Sequence, residues 1–198
     1  GYQGSLPIVL QASALNKAGK TEESAKVLEA GLEKYPGDLD LIKEQLNGFL
    51  LAKEFDKAEA AMQKVIAKSP NDASLHFNIG SIYDNLGRYD DAEKAYNKAL
   101  EIEPDYFDAM YSKGVSYFNQ AVEIYKKVET LTDVVQQEKE TKNADDLLNK
   151  ARPILEKCHE MQPDDINTMK ALKQIYGRIG EDDLWSAMKK KLTDAGAK

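Results

Sequence analysis

Few side chains in this sequence could do chemistry: one cysteine, Cys158, two histidines, His76 and His159, and Asp-Asp pairs at 90–91, 145–146, 164–165 and 182–183. Cys158 and His159 are adjacent, and adjacent side chains on a helix diverge by about 100°. They cannot form a nucleophile–base pair with each other. The aspartate pairs fall at helix starts or on polar faces, where capping and the helix dipole account for them. There is no glycine-rich phosphate loop, no ligand set with zinc spacing and no paired catalytic motif. The reading is a protein that is not an enzyme, with no cofactor and no metal.

Composition narrows the class further. Charged residues make up 31% of the 198-residue chain, its formal net charge is −7, and its mean hydropathy is −0.58. No apolar run approaches the ~18 residues that a membrane span needs. Lys and Arg are scattered rather than clustered, which argues against nucleic acid. A single cysteine excludes an internal disulfide framework. The sequence opens on Gly1 rather than methionine, so upstream sequence or a leader is expected to be missing.

The elements that would carry any site come from one stretch, 73–106, which reads as two amphipathic helices and a tight turn. Ile79, Gly80 and Tyr83 share one face of the first helix. Gly87 breaks it, Ala92, Tyr96, Ala99 and Leu100 mark the second, and Pro104 closes the unit because proline cannot continue a helix. Gly80 and Ala92 read as a small-residue pair that lets two backbones approach. So small a unit cannot bury its apolar faces alone and must stack on copies of itself.

The copies are visible. A first spans 5–38, with Ile8, Gln11, Ala12 and Leu15, then Gly19, Thr21 as a cap, and Ser24, Leu28 and Gly31. A second spans 39–72, with Ile42, Gln45, Leu46 and Phe49, then Phe55, Ala58, Met62 and Val65. Asp38 and Asp72 are expected N-caps. In the fourth, 107–165, the closing Pro163 stands 59 positions after Pro104, 25 more than one repeat. Ala121, Ile124, Tyr125 and Val128 extend its first helix. Val135, Leu147, Leu148, Ala151, Leu155 and Cys158 run through its second. The turn is expected at 130–133 with Asp133 as cap, the segment 136–149 as a solvated protruding hairpin, and a kink at Pro153. A last repeat, 166–194, has Asp165 as cap and a terminal helix in which Lys189, Lys190 and Lys191 form a solvated outer face. The first helix differs from the rest: Leu6, Ile8, Val9, Leu10 and Leu15 point in nearly every direction, so a second copy or upstream repeats are expected to cover it.

The matched positions in 73–106 are His76, Ile79, Gly80, Tyr83, Gly87, Ala92, Tyr96, Ala99 and Pro104, and with them the chain resembles the tetratricopeptide repeat family. The resemblance implies an all-α fold, a right-handed α–α superhelix of about 4.5 helix–turn–helix repeats, forming a single array over 1–198 with one elongated hairpin. The elongated penultimate repeat is similar to bacterial proteins of this family that carry an export signal, which favours a periplasmic location over a cytoplasmic one.

In this family the concave wall is lined by first-helix positions 2, 5, 9 and 12. Those positions hold Asp40, Lys43, Asn47 and Leu50 in the second repeat, and Ser74, Phe77, Ser81 and Asp84 in the third. They hold Asp108, Tyr111, Val115 and Phe118 in the fourth, and Asn167, Lys170, Gln174 and Gly177 in the last. The implied site is an aromatic and apolar strip with polar flanks: Lys43, Asn47, Leu50, Phe77, Asn78, Ser81, Tyr111, Val115, Phe118, Lys170 and Gln174. Lys43, Asn47 and Asn78 also match part of a carboxylate clamp known in the family. Asp108 and Ser112 stand where that clamp needs Lys and Arg, so a carboxylate ligand is disfavoured. The function implied is a non-catalytic scaffold that binds a protein or peptide partner along the groove. The alternative is a self-assembling module that docks through its apolar first helix as a homo-oligomer.

Overall fold

The computed structural model describes residues 4–196; the side chains of Phe55 and Val65, two expected inner positions, lie outside the described residues. Among the described residues the chain is all-α, with ten helices and no strand. They belong to two compact units, 1–71 and 72–198. The first holds α1 (Leu6–Lys17), α2 (Thr21–Lys34), α3 (Leu39–Leu51) and α4 (Phe55–Lys68). The second holds α5 (Ala73–Asn85), α6 (Tyr89–Ile102), α7 (Phe107–Val128), α8 (Val134–Met161), α9 (Ile166–Ile179) and α10 (Asp182–Asp194). Helices α3, α5 and α7 begin at Leu39, Ala73 and Phe107, the starts expected from the 34-residue period.

Each tight turn is built the same way. A residue in the left-handed region stops the first helix: Gly19 (φ 73°), Gly87 (φ 70°) and Gly180 (φ 76°), and in the second hairpin Lys53 (φ 60°). The next amide then donates back to a carbonyl five residues earlier: Lys20 to Leu15 at 2.9 Å, Glu54 to Phe49 at 2.8 Å, Arg88 to Tyr83 at 2.9 Å and Glu181 to Tyr176 at 2.9 Å. This is the Schellman closure, which satisfies carbonyls that a helix end leaves orphaned. Thr21, expected as a cap, is instead the first helical residue; Lys20 is the cap and makes no side-chain capping bond. The closure has already consumed the Lys20 amide, and the second helix starts at once.

Helices α3, α5, α8 and α9 are entered through aspartate caps, as expected. Asp38 accepts from the Asp40 and Leu41 amides, both at 3.1 Å. Asp72 accepts from Leu75 at 3.1 Å, Asp133 from Gln136 at 3.0 Å and Asp165 from Thr168 at 2.6 Å. Ser5 Oγ also donates to Asp38 at 2.7 Å, and this bond holds the Asp38 carboxyl below its usual range.

In the first unit Ala12, Leu28 and Leu41 are buried, and Ile8, Val9, Val27, Leu32 and Tyr35 pack on them. On the other side of α1, Leu6 and Leu10 are 48% and 61% exposed. In the second unit glycines set the helix spacing. A Cβ on Gly80 would sit 2.6 Å from the Tyr96 ring, and one on Gly114 would sit 2.8 Å from Leu155. The ring of Tyr96 on α6 therefore occupies the space that the missing Gly80 side chain leaves, and Ala92 on the same helix is fully buried.

The elongated hairpin is α7 with α8, 22 and 28 residues against 13 and 14 in α5 and α6. Its turn falls at 129–133, as expected. Ala121, Ala144, Leu148, Ala151 and Leu155 form a fully buried seam. The segment 136–149 thus presents solvent with one face only. Val135, read as part of the apolar pattern running through α8, is 77% exposed, because only the turn lies opposite the first residues of α8. Helix α8 is continuous through Pro153.

Candidate functional site

The residues with catalytic potential are kept apart or used in packing. Cys158 is fully buried, and burial pushes its thiol up to about 11. It is a protonated core side chain at neutral pH. His76 is also buried. His159 Nε2 lies 2.8 Å from Lys191 Nζ, and burial first, then the Lys191 charge, lowers its pKa. The imidazole is therefore neutral and accepts from the ammonium. Lys191 is thus tied to α8, and Lys189 lies over the Trp185 ring at 4.8 Å, so the row expected to be a solvated face is partly engaged. Among the described residues, no three or more His, Cys, Asp or Glu side chains are placed to hold a metal ion, and no helix is long and apolar enough to cross a membrane.

The residues expected on the inner wall fall in both units. In the first, Lys43, Asn47 and Leu50 lie along α3. Asn47 Nδ2 donates to Glu44 Oε1 at 3.3 Å, and the same oxygen accepts from buried Asn16 Nδ2 at 2.6 Å. A groove of about 410 Å³ in this unit lies elsewhere, between α2, α3 and the start of α4, lined by Ala25, Leu28, Gln45, Gly48, Phe49 and Lys57 among others. Sequence reasoning assigned Phe49 and Gln45 to packing. The groove's lining includes three small residues, Ala25, Gly48 and Ala52.

In the second unit, Phe77 is half-buried between two tyrosines, with ring centroids 5.4 Å from Tyr106 and 6.3 Å from Tyr96. Asn78 is exposed. Ser81 Oγ donates to the Phe77 carbonyl at 3.2 Å and accepts from Tyr96 Oη at 3.5 Å. Five expected residues come together further along. Tyr111, Val115 and Phe118 on α7 and Lys170 and Gln174 on α9 line one open cavity of about 210 Å³, with Asn119, Asn167 and Ala171. Tyr111, Val115 and Phe118 reach the core with part of their surface and face the cavity with the rest. Their half-buried state (about midway between core and surface) leaves apolar area for a ligand. Gly177, expected on the same wall, instead lies under Trp185, where a Cβ would come within 3.0 Å of the indole.

Beside this cavity is a polar one of about 770 Å³, lined by Asp84, Asn85, Leu86, Gly87, Tyr89, Asn119, Val122, Glu123 and Lys126. Asp84 accepts from Ser116 Oγ at 2.5 Å, and Tyr89 Oη donates to Glu123 at 3.0 Å. Burial raises the Asp84 pKa, the Ser116 bond opposes this, and the Glu123 charge adds to it. Sequence reasoning missed Asn119, Val122 and Glu123. Asn119 is the last residue of a first helix of ordinary length, outside the wall positions; Val122 and Glu123 lie where such a helix has already ended, and the signal for them was the predicted extension of α7.

Comparison with known proteins places this geometry. Residues 73–106 match the family model described as tetratricopeptide repeat, and this segment belongs to that family. The chain is 36% identical over 97 residues to a tetratricopeptide repeat-containing protein, trd-1, of Caenorhabditis elegans, covering 49% of this chain and 11% of that one. It is 26% identical over 136 residues to the peroxisomal targeting signal receptor of Candida glabrata, covering 66% of this chain and 22% of the receptor. It spans only a small part of either relative. Among solved structures, a MamA double mutant superposes with a TM-score of 0.69 at 14% identity, over 97% of this chain and 94% of that one. YrrB, described as a tetratricopeptide repeat protein with an unusual peptide-binding site, gives 0.62 at 14% identity over 96% of this chain and 86% of its own. The all-α tetratricopeptide-type fold is shared with both.

Proposed function

We propose that this chain is a non-catalytic interaction module that binds a peptide segment of a protein partner on the inner face of its first helices. The observation that carries the reading is the cavity between α7 and α9, where Tyr111, Val115, Phe118, Lys170 and Gln174 converge. Half-buried aromatic and aliphatic side chains supply contact area at low ordering cost, and Gln174, Asn167 and Lys170 can orient a peptide backbone. A relative described as a targeting signal receptor and a neighbour described as having a peptide-binding site support the same class.

The test is panning of phage-displayed random peptides on the purified protein. Enriched sequences should lose binding to a Tyr111→Ala, Phe118→Ala variant of unchanged helicity. Absence of enrichment, or equal binding to the variant, would overturn the reading. The exposure of Leu6 and Leu10 supports a second reading, self-assembly through α1. Light scattering of wild type against Leu6→Glu, Leu10→Glu separates the two: a dimer that the variant abolishes favours self-assembly.

A further inference from the structure

We infer that α10 is a pH-sensitive latch: the neutral imidazole of His159 holds its C-terminal half against α8, and proton uptake by that ring loosens it. The inference goes beyond the binding reading above and does not depend on it.

The hold on α10 is slight. Among its described residues only Met188 and Leu192 are buried, and both join the core that includes Leu172, Ile175 and Tyr176 of α9. Two side-chain ties to α8 add to this. At the start of α10, Arg152 Nη1 donates to Glu181 Oε1 at 3.2 Å. Near its end, Lys191 Nζ meets His159 Nε2 at 2.8 Å. Lys191 follows Met188 by three residues and precedes Leu192, so it leaves the helix at the edge of the buried face. The first tie joins groups that stay charged well below neutral pH. The second depends on an imidazole, which titrates near neutrality.

The geometry accepts only the uncharged ring. An ammonium can only donate, so Nε2 must be bare and the ring proton sits on Nδ1. Nδ1 is buried and has no hydrogen-bond partner among the described residues. A second proton would go to Nε2, facing the Lys191 charge, and would leave both ring N–H groups without an acceptor. The other charges acting on the ring are Asp164, in the turn between α8 and α9, and Glu160 of α8. Both favour the imidazolium; burial and Lys191 oppose it and prevail, so the ring's pKa is lowered. Its contribution to docking is therefore present above the ordinary value of about 6.5 and lost as pH falls through the folded one. Lys191 is exposed, so its ammonium has water to withdraw into when the ring is charged, and the tie beside Leu192 is lost.

Amide exchange of the whole chain is followed at pH 7.5 and pH 5.0 and expressed as protection factors, which remove the intrinsic pH dependence of exchange. Between the two, protection over 188–192 should fall at least about threefold further than over α5 and α6. His159→Gln can still accept from Lys191 but does not titrate, and should abolish that difference. Lys191→Met should abolish it too. It should also raise the His159 titration midpoint towards the ordinary value, read from imidazole C–H resonances that are told from those of His76 by their loss in His159→Gln. Equal losses in α10 and in α5 and α6, a difference that survives His159→Gln, or a His159 midpoint unmoved by Lys191→Met would each overturn the latch. If His159→Gln does not fold, the Lys191→Met arm, which alters an exposed residue, decides alone.

Discussion

Lys53 is the one non-glycine residue with positive φ among the described residues, at φ 60°, and it stands where the other three tight turns have glycine. The left-handed conformation costs an L-residue about 1–2 kcal/mol, and replacing the residue by glycine removes that cost. Glycine's extra freedom in the unfolded chain offsets about 0.5–1 kcal/mol. Lys53 is exposed, so little packing is lost. Lys53→Gly should therefore stabilise by about 0.5–1 kcal/mol, read as a rise in the urea midpoint by far-UV circular dichroism at unchanged m. Hydrogen exchange at the Glu54 amide, which closes the turn onto Phe49 at 2.8 Å, should slow by the same factor if opening is local. The reciprocal variant is a control for sterics: a Cβ on Gly87 meets nothing within 4 Å. Gly87→Lys should cost about 0.5–1 kcal/mol through backbone conformation alone. A neutral Gly87→Lys, or a destabilising Lys53→Gly, would refute the claim that turn backbone rather than side-chain contact sets these energies.

Other outcomes follow from the packing and the titrating groups. Gly80→Ala should destabilise by about 1–3 kcal/mol in thermal unfolding, because the new methyl lands 2.6 Å from the buried Tyr96 ring and forces it to shift. Asp84 has a raised folded pKa; its contribution is present below the unfolded value and is lost as pH rises through the folded one. Asp84→Asn should accordingly match wild-type stability at acid pH and exceed it at neutral pH, and identical urea midpoints at neutral pH would count against the assignment. Asp38 has the opposite sign, with a lowered folded pKa: its contribution is present above the unfolded value and lost as pH falls through the folded one. Asp38→Asn should flatten the acid side of the stability profile. Cys158, buried with its thiol at about 11, should react with a thiol reagent at pH 8 only as fast as the chain opens. Rapid labelling of the folded protein would contradict its burial.

The repeat starts, the carboxylate caps and the long hairpin were legible because each depends on local signals: a period, an aspartate before a helix, a late proline. Gly80 was legible as a close approach, but the Tyr96 ring against it was not, since that requires knowing how a side chain on α6 packs on α5. Lys53 was hidden for the converse reason, because the turn imposes its backbone on whatever residue occupies it. At the site, the wall positions implied by the family resemblance led to Tyr111, Val115, Phe118, Lys170 and Gln174. The last of those positions on α7 is Phe118, so Asn119 and Glu123 fell outside them, although the extension that carries Glu123 had been read. Gly177 was misplaced because Trp185 on the next helix, not the pattern, decides what lies against it.

The length of α7 and α8 also bears on how the chain is made. Synthesis proceeds at about 5–20 residues per second, and N-terminal elements fold first. Helix α5 meets its partner as soon as Ile102 has emerged, but the C-terminal end of α8 that covers Gly114 through Leu155 arrives much later. The stretch from Phe107 to Met161 takes nearly twice as long to deliver as that from Ala73 to Ile102. Throughout that interval the inner face of α7, with Met110, Gly114 and Tyr117, waits uncovered. The nascent chain is most exposed to wrong partners there, and a chaperone would have the longest time to act.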